Sequence, residues 1–355
     1  MTSNHSCWPL FGDDLTMARD WIKLRLNSSQ IDVRIGHQAL SLGLTEEVLE
    51  LLAETNRFNE LAAAQLNFRI ARLNNEPNPY DKLLTETIKN QLSKIINKEL
   101  AQSNTINVAI NGGIGDHLEA LSLVIPWAKS KYIKINIHID QQRQAQLSAI
   151  LSKFSWINVE ASGGIPILAL RGWIKGNSNA TYGSWIKLNS KSMASNKLVC
   201  CWKAEGSGDK FSAYCRSIPF ELVYEFYEFI LSKRDCTIQD ISNWNQWERA
   251  KLMYLGINLL NPNTGDLLDL AKVVENAEVV TIDTALAHLC AAMGHRAIVL
   301  LPKFADERWI ELNNKGSTYA THLTLLRNQV FGNWKPCIGT LIQILLGKCG
   351  NLIAN

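Results

Sequence analysis

From residue 105 onward, short apolar runs and longer amphipathic runs take turns along the chain, and this alternation restricts the fold more than any other feature of the sequence. "INVAIN" precedes "DHLEALSLVIPWAKS", and "IKINIHID" precedes "QQRQAQLSAILSKF"; "WINVEAS" and "IPILAL" read as further strands. Strands alternating with helices predict a parallel sheet with helical layers on its faces. Residues 186–197, "IKLNSKSMASNK", are polar and Ser/Asn-rich and read as a linker. A second unit of the same texture follows. "KLVCCWKA", "CTIQDIS", "EVVTI" and "RAIVLL" are its expected strands. "PFELVYEFYEFILSK", "DLLDLAKVVENA", "TALAHLCAAMG" (closed by Gly294) and "WKPCIGTLIQILLG" are its expected helices, and "WNQWERAKLMYLG" follows the strand "CTIQDIS". Two such halves in series predict two Rossmann-like domains facing a cleft.

Residues 1–103 differ, reading as helix after helix. "LTEEVLELLAE" has apolar residues at helical spacing, with Thr45 as the expected N-cap and Glu46 and Glu47 in the first turn. "FNELAAAQLNFRIARL" and "YDKLLTETIKNQLSKIINKEL" follow, separated by Pro77 and Pro79. The pattern is compatible with a worn helical-hairpin repeat, which would offer a surface to a protein partner, and equally with a helical cap on the next domain. The expected division is therefore 1–103 helical, 104–195 a first Rossmann-like domain, and 196–355 a second.

Composition narrows the function. The chain has 355 residues, 46% hydrophobic and 19% charged, which is globular rather than disordered. A formal net charge of +3 without a dense basic run argues against a nucleic-acid partner. The eight cysteines are scattered from Cys7 to Cys349 and form no C-x-x-C pair, so neither a zinc site nor a disulfide framework is expected. Free thiols suggest a reducing compartment. "MTSNHSCWPLFGDD" lacks the basic-then-apolar order of a secretory leader, and no apolar run approaches the ~20 residues that span a bilayer. The expectation is a cytoplasmic protein, with peripheral contact at the inner face of a membrane left open.

Three stretches carry residues able to do chemistry. In "NVAINGGIGDHLEALSLVIP", Gly112, Gly113 and Gly115 occupy a strand-to-helix turn, followed by Asp116 and His117. Such a turn aims free N–H groups and a helix dipole at a ligand. A dinucleotide fingerprint would continue with glycine at position 118, which is Leu118, although Asp140 could imitate the ribose-binding acid. The other reading has the glycines clearing space beside Asp116. Structurally, Asp116 could equally be a favourable first-turn charge and His117 a surface residue.

In "VVTIDTALAHLCAAMG", Asp283 and Thr284 fill the turn after a buried strand, and His288 lies one helical turn beyond Thr284. A hydroxyl beside the first free N–H groups suits a phosphate oxygen, and Asp283 suits sugar hydroxyls or a cation. In "CWKAEGSGDKFSAYCRSIP", Lys203, Lys210 and Arg216 flank a flexible loop; a cation there could neutralise a diphosphate or simply be solvated.

These stretches, in this order, resemble the heptosyltransferase-type glycosyltransferases of family nine, which have the GT-B fold. "GIGDHLEALSLVIPWAK" is similar to their N-terminal signature and "IDTALAHLCAAMG" to their D-[ST]-x-x-x-H signature. "RSIPFELV" and "LLPKFADERW…STYATHLTLLRN…GNW" resemble relatives fused to tetratricopeptide helices. The resemblance implies a sugar transfer from a nucleoside-diphosphate sugar to a hydroxyl of a glycan, lipid-linked or protein acceptor, inverting and without a metal or other cofactor. It makes Asp116 the general base. It places Arg216, Asp283, Thr284, Ala285 and His288 at the donor, and the 244–248 loop near the nucleotide base and ribose. It puts Gly112, Gly113, Gly115 and His117 on the acceptor side of the cleft. The chain departs from the pattern at Ala285, where heptosyltransferases have glycine, and in a first Rossmann half of only roughly ninety residues. Two rival readings are a non-catalytic helical-repeat scaffold with a degenerate transferase domain, and a Rossmann enzyme using NAD or S-adenosylmethionine.

Overall fold

The computed structural model describes residues 15–27, 31, 33–54, 58, 60–74, 84, 86–110, 113–139, 141–160, 163–188, 196–205, 210–260, 266–309 and 319–347. Its N-terminal region holds α1 (Leu15–Leu26), α2 (Val33–Ser41), α3 (Thr45–Ala53), α4 (Glu60–Leu73) and α5 (Glu86–Ser103). Ile22, Leu40, Leu42, Val48, Leu66 and Ile70 form a shared core under α1–α4. Glu46 and Glu47 lie in the first turn of α3, where the helix dipole favours them. Thr45, expected as the cap, is the first helical residue; Leu44 takes the cap position and donates no side-chain bond. The helix starts one residue early because Leu44 is drawn into the core, at 3% exposure.

The first sheet is built from β1 (Thr105–Ile110), β2 (Lys134–Ile139), β3 (Ile157–Glu160) and β4 (Ile165–Pro166), with α6 (Ile114–Ser130), α7 (Gln141–Leu151) and α8 (Ile167–Asn177) between and after them. All pairs are parallel, in the order β3-β2-β1-β4. A ladder of side-chain amides crosses it: Asn158 donates to Asn136 at 3.1 Å, and Asn136 to Asn107 at 3.0 Å. Asn107 in turn donates its backbone N–H and Nδ2 to the two oxygens of Glu99, which docks α5 on β1. "IPILAL", expected as a strand, pairs only at Ile165–Pro166 and continues as α8. Pro166 has no N–H for the ladder and stands at the N-cap of α8, so pairing ends there.

The second sheet contains β5 (Lys197–Cys201), β6 (Thr237–Asp240), β7 (Asn258–Leu259), β8 (Glu278–Ile282), β9 (Ile298–Leu301) and β10 (Thr324–Arg327). Its helices are α9 (Lys210–Arg216), α10 (Phe220–Lys233), α11 (Gln246–Tyr254), α12 (Leu267–Val274), α13 (Ala285–Met293) and α14 (Lys335–Leu345), with a 3-10 turn at Glu307–Trp309. The order β10-β9-β8-β5-β6-β7, all parallel, is the doubly wound Rossmann order. The sequence signalled neither β7, which is two residues long, nor β10, whose residues are only partly buried and show no alternation. The architecture is thus α/β, with two Rossmann-like sheets behind an all-helical region. Among the described residues no helix is long and apolar enough to cross a membrane.

The halves are joined face to face by α6 and α13. Leu289 and Ala292 of α13, with Leu267 and Ala271 of α12, belong to the same hydrophobic cluster as β1, β2 and α6. Residues 183–186 strap the two helices together. Pro126 inside α6 cannot donate to the carbonyl of Ser122, and the Gly183 N–H takes that place at 2.8 Å. Trp185 and Ile186 donate to the Ala292 carbonyl at the end of α13, where helical donors run out. Gly294 ends α13 at φ 69°, as its C-cap reading required.

Inside the second half, the fully buried Asp240 at the end of β6 accepts from Tyr227 Oη at 2.9 Å, Trp244 Nε1 at 2.8 Å and the Ser242 N–H at 2.6 Å. Burial pushes its carboxyl above the usual range, against the pull of those donors. Tyr227 also accepts from Trp202 Nε1 at 2.6 Å. The network holds the chain that leads into α11. Tyr227→Phe should therefore lower stability by about 1–3 kcal/mol, because Trp202 and Asp240 both lose a buried partner; urea unfolding of the full chain measures it.

Candidate active site

In an open parallel sheet, ligands bind outside the carboxyl ends of the strands, where the strand order reverses. Here the first sheet reverses between β1 and β4, and the second between β5 and β8. The β1–α6 turn carries Gly113, Gly115 and Asp116; the β8–α13 turn carries Asp283 and Thr284; Lys203 follows β5. Packing α6 against α13 brings the first two turns together.

The β8–α13 turn is densely bonded. Arg216, the last residue of α9, donates through Nη1 to the Asp283 carbonyl at 2.8 Å and lies 3.5 Å from its Oδ2. His288 Nε2 is 3.6 Å from Asp283 Oδ1, and its Nδ1 is 3.2 Å from Tyr319 Oη. The imidazole is tilted against Trp309 and Tyr319, with centroids 5.1 and 5.6 Å away. Burial would raise the Asp283 carboxyl, but the Arg216 charge, the His288 hydrogen bond and the Arg308 charge bring it down to about 2. Thr284 is the N-cap of α13, yet its hydroxyl bonds no helical N–H. It turns back to the sheet, 3.1 Å from Thr281 Oγ1 and 3.8 Å from Cys201 Sγ. The first N–H groups of α13 are therefore not capped by that side chain, and Ala285 is partly exposed at the helix start.

On the facing wall, Asp116 lies in the first turn of α6, with Oδ2 3.1 Å from where a Cβ on Gly113 would stand. Gly113 thus leaves open the space beside that oxygen. Gly115 serves a different purpose from the one read in the sequence: a Cβ there would lie 2.6 Å from His288 Cδ2, so this glycine admits the opposite domain rather than a ligand. His117 is fully buried in α6, which removes the surface reading. Gly112 and Asp140 lie outside the described residues, and so does the side chain of Lys210. Lys203 is 3.6 Å from Glu248 and over the Trp244 ring, rather than simply solvated. The 244–248 segment, expected as a loop, is the capped start of α11: Asn245 and Glu248 form a reciprocal capping box.

Sequence reading missed Arg308. Its Nη1 is 2.7 Å from Asp116 Oδ1 and 3.3 Å from Glu119 Oε2, and its Nη2 is 3.1 Å from Asp306 Oδ2. Glu119 also pairs with Arg171 at 2.7 Å and accepts from Tyr182 Oη. "FADERW" held the signal, a charged run beside a tryptophan, but a charge run ordinarily marks a solvated face. Among the described residues, no group of three His, Cys, Asp or Glu side chains is arranged to hold a metal.

No family model and no curated protein matches the chain. Among solved structures, the chain is similar to the E. coli heptosyltransferase WaaC with ADP-2-deoxy-2-fluoro heptose, at 14% identity and a TM-score of 0.44, covering 68% of this chain and 100% of that one. It is also similar to the dodecameric iron-containing glycosyltransferase TibC of enterotoxigenic E. coli H10407, at 10% identity and a TM-score of 0.38, covering 55% and 57%. A third likeness is to S. aureus MnaA bound to UDP, at 11% identity and a TM-score of 0.33, covering 77% and 75%. All three are remote.

The two glycines predict different results. Gly115→Ala forces a methyl into His288 and should cost about 1–3 kcal/mol through overpacking between the halves. Gly113→Ala meets only the movable end of Asp116 at 3.1 Å and should be far milder; thermal melting of both variants compares them. Acid should act through Asp283. A carboxyl lowered on folding adds stability that is complete above its unfolded value of 3.8 and is lost as pH falls toward about 2. Asp283→Asn should flatten that part of the pH–stability profile.

Proposed function

We propose that the chain is a heptosyltransferase-like glycosyltransferase of GT-B type, transferring a sugar from a nucleoside-diphosphate sugar to an acceptor hydroxyl with inversion. The observation that carries this reading is the meeting of two switch-point turns from two parallel sheets, one bearing Asp116 and the other the Arg216–Asp283–Thr284 group. In this reading the diphosphate lies against the start of α13, where N–H groups and the helix dipole favour negative charge, with Arg216 as a counter-cation. Lys203 and Glu248 flank the nucleoside. The acceptor hydroxyl approaches through the space beside Gly113 and gives its proton to Asp116 Oδ2. Its oxygen bonds to the anomeric carbon as the bond from that carbon to the diphosphate oxygen breaks. The positive charge the leaving group needs comes from the helix terminus and guanidinium groups, so the reading requires no metal.

Calorimetry of the full chain with ADP, GDP and UDP tests the donor half. One of them should bind, and Arg216→Ala should weaken it by about 1.5–3 kcal/mol; binding of none by folded protein rejects the reading. Asp116→Asn tests the acceptor half. Nucleotide affinity should hold while turnover falls roughly 10²–10⁴-fold. Full nucleotide binding without any sugar transfer in the unaltered chain would favour the scaffold alternative.

A further inference from the structure

Resting on the reading of Asp116 as the base, we propose that Arg308 is the positioning residue of that base, holding Oδ1 so that Oδ2 faces the opening at Gly113. The geometry is specific. Arg308 Nη1 approaches Oδ1 at 2.7 Å, while Oδ2 is the oxygen beside the missing Gly113 side chain. The Asp116 side chain is 38% exposed, against 16% for Arg308 and 3% for Glu119, so the carboxylate sits at the rim of the ion cluster and the guanidinium beneath it.

Arg308 is itself braced on several sides. Asp306 and Glu119 share its two terminal nitrogens. Glu119 is fixed from behind by Arg171, whose guanidinium lies over the ring of Phe68 in α4. The 3-10 turn that carries Arg308 packs on α4. Phe304, just upstream, lies under the Arg19 guanidinium of α1 and fills the space a side chain at Gly43 would occupy. The N-terminal helices thus form the back wall of the cluster.

The charges acting on Asp116 are Arg308 and Asp306 from the β9–β10 connection and His288 from α13; behind them, Glu119 of α6 pairs with Arg308 and Asp283 of the β8–α13 turn lies beside His288. Burial alone would raise its carboxyl. The Arg308 charge and hydrogen bond outweigh burial, Asp306 opposes them and His288 adds to them, so the carboxyl stays below the usual range. A proton acceptor at this site is therefore ionised throughout the neutral range and has one oxygen committed. Its stability contribution has the sign usual for a lowered carboxyl, present above 3.8 and lost as pH falls below it.

Carboxyl carbon NMR of the full chain labelled at aspartate, with Asp116→Asn for assignment, reads the ionisation midpoint directly. In Arg308→Met the midpoint should rise by about 1–3 pH units. The acid limb of transfer should move upward with it, and kcat should fall while the KM for the nucleotide sugar changes little. Arg308→Lys keeps the charge but not the planar two-nitrogen fork, so it should give an intermediate midpoint and partly restored kcat. If the Met variant does not fold, the Lys variant decides: wild-type midpoint and rate overturn the proposal. An unmoved midpoint in folded Arg308→Met also overturns it. A raised midpoint with an unchanged transfer profile removes Asp116 from the chemistry and overturns the positioning role. Absence of transfer in the unaltered chain, with the midpoint still rising in Arg308→Met, rejects the functional reading and supports the hold of Arg308 on Asp116.

Discussion

The close approach of α6 to α13 is the constraint on which the remaining arrangement depends. Gly115 faces His288 across it, at a distance that no side chain larger than hydrogen could share. Because both helices begin at strand-to-helix turns, their contact aligns the switch points of two separate sheets. The 183–186 strap secures the same pair further along, by bonding to one carbonyl that a proline left open in α6 and another at the end of α13. The cleft geometry is therefore a consequence of helix packing; residues 189–195, the middle of the expected linker, lie outside the described residues.

That packing gathers charge in a poorly solvated place. Asp116 and Asp283 each stand beside a helix N-terminus, and each is answered by an arginine from the second half, Arg308 and Arg216 respectively. Buried ion pairs gain little net stability unless their remaining donors and acceptors are also satisfied. Here Glu119, Arg171 and Tyr182 extend the first pair, His288 and Tyr319 extend the second, and the rings of Tyr182 and Tyr319 meet edge to face between them. Such a network favours one relative placement of the two halves, since displacement would leave charges buried without partners. The N-terminal helices take part through Phe68 against Arg171 and through Arg19 and Gly43 against Phe304, which makes them a structural layer of the site as well as a separate helical unit.

Much of the fold is legible along the chain because strands and helices differ in apolar period, and that difference is local. β5, β8 and β9 are apolar runs buried on both faces, β1 buries every second residue and β2 is buried from Ile137 onward, and each is recognisable without a partner. The failures were also local in cause. β4 was overread because "IPILAL" is apolar throughout, which suits a buried strand and a buried helix equally, and one missing N–H decided between them. β7 and β10 were too short or too open to show a period. For the site, the strand-to-helix turns with Asp116, Asp283 and Thr284 were visible as glycine and polar punctuation. The directions of their side chains were not: Thr284 turns to the sheet and His288 to the other domain.

The sequence by itself determined the α/β class, the doubly repeated alternation, the helical preface and the positions of the polar turns, since each follows from the nearest few side chains and their backbone preferences. Tertiary structure alone decided that Gly115 makes room for a domain, that Arg308 belongs with Asp116 and Glu119, and that the N-terminal helices stand behind them. Those choices depend on Coulomb attraction and steric fit between residues far apart in the chain. Neither leaves a period or a propensity in the local sequence, so neither exists until the packing of α6 against α13 brings the groups within reach.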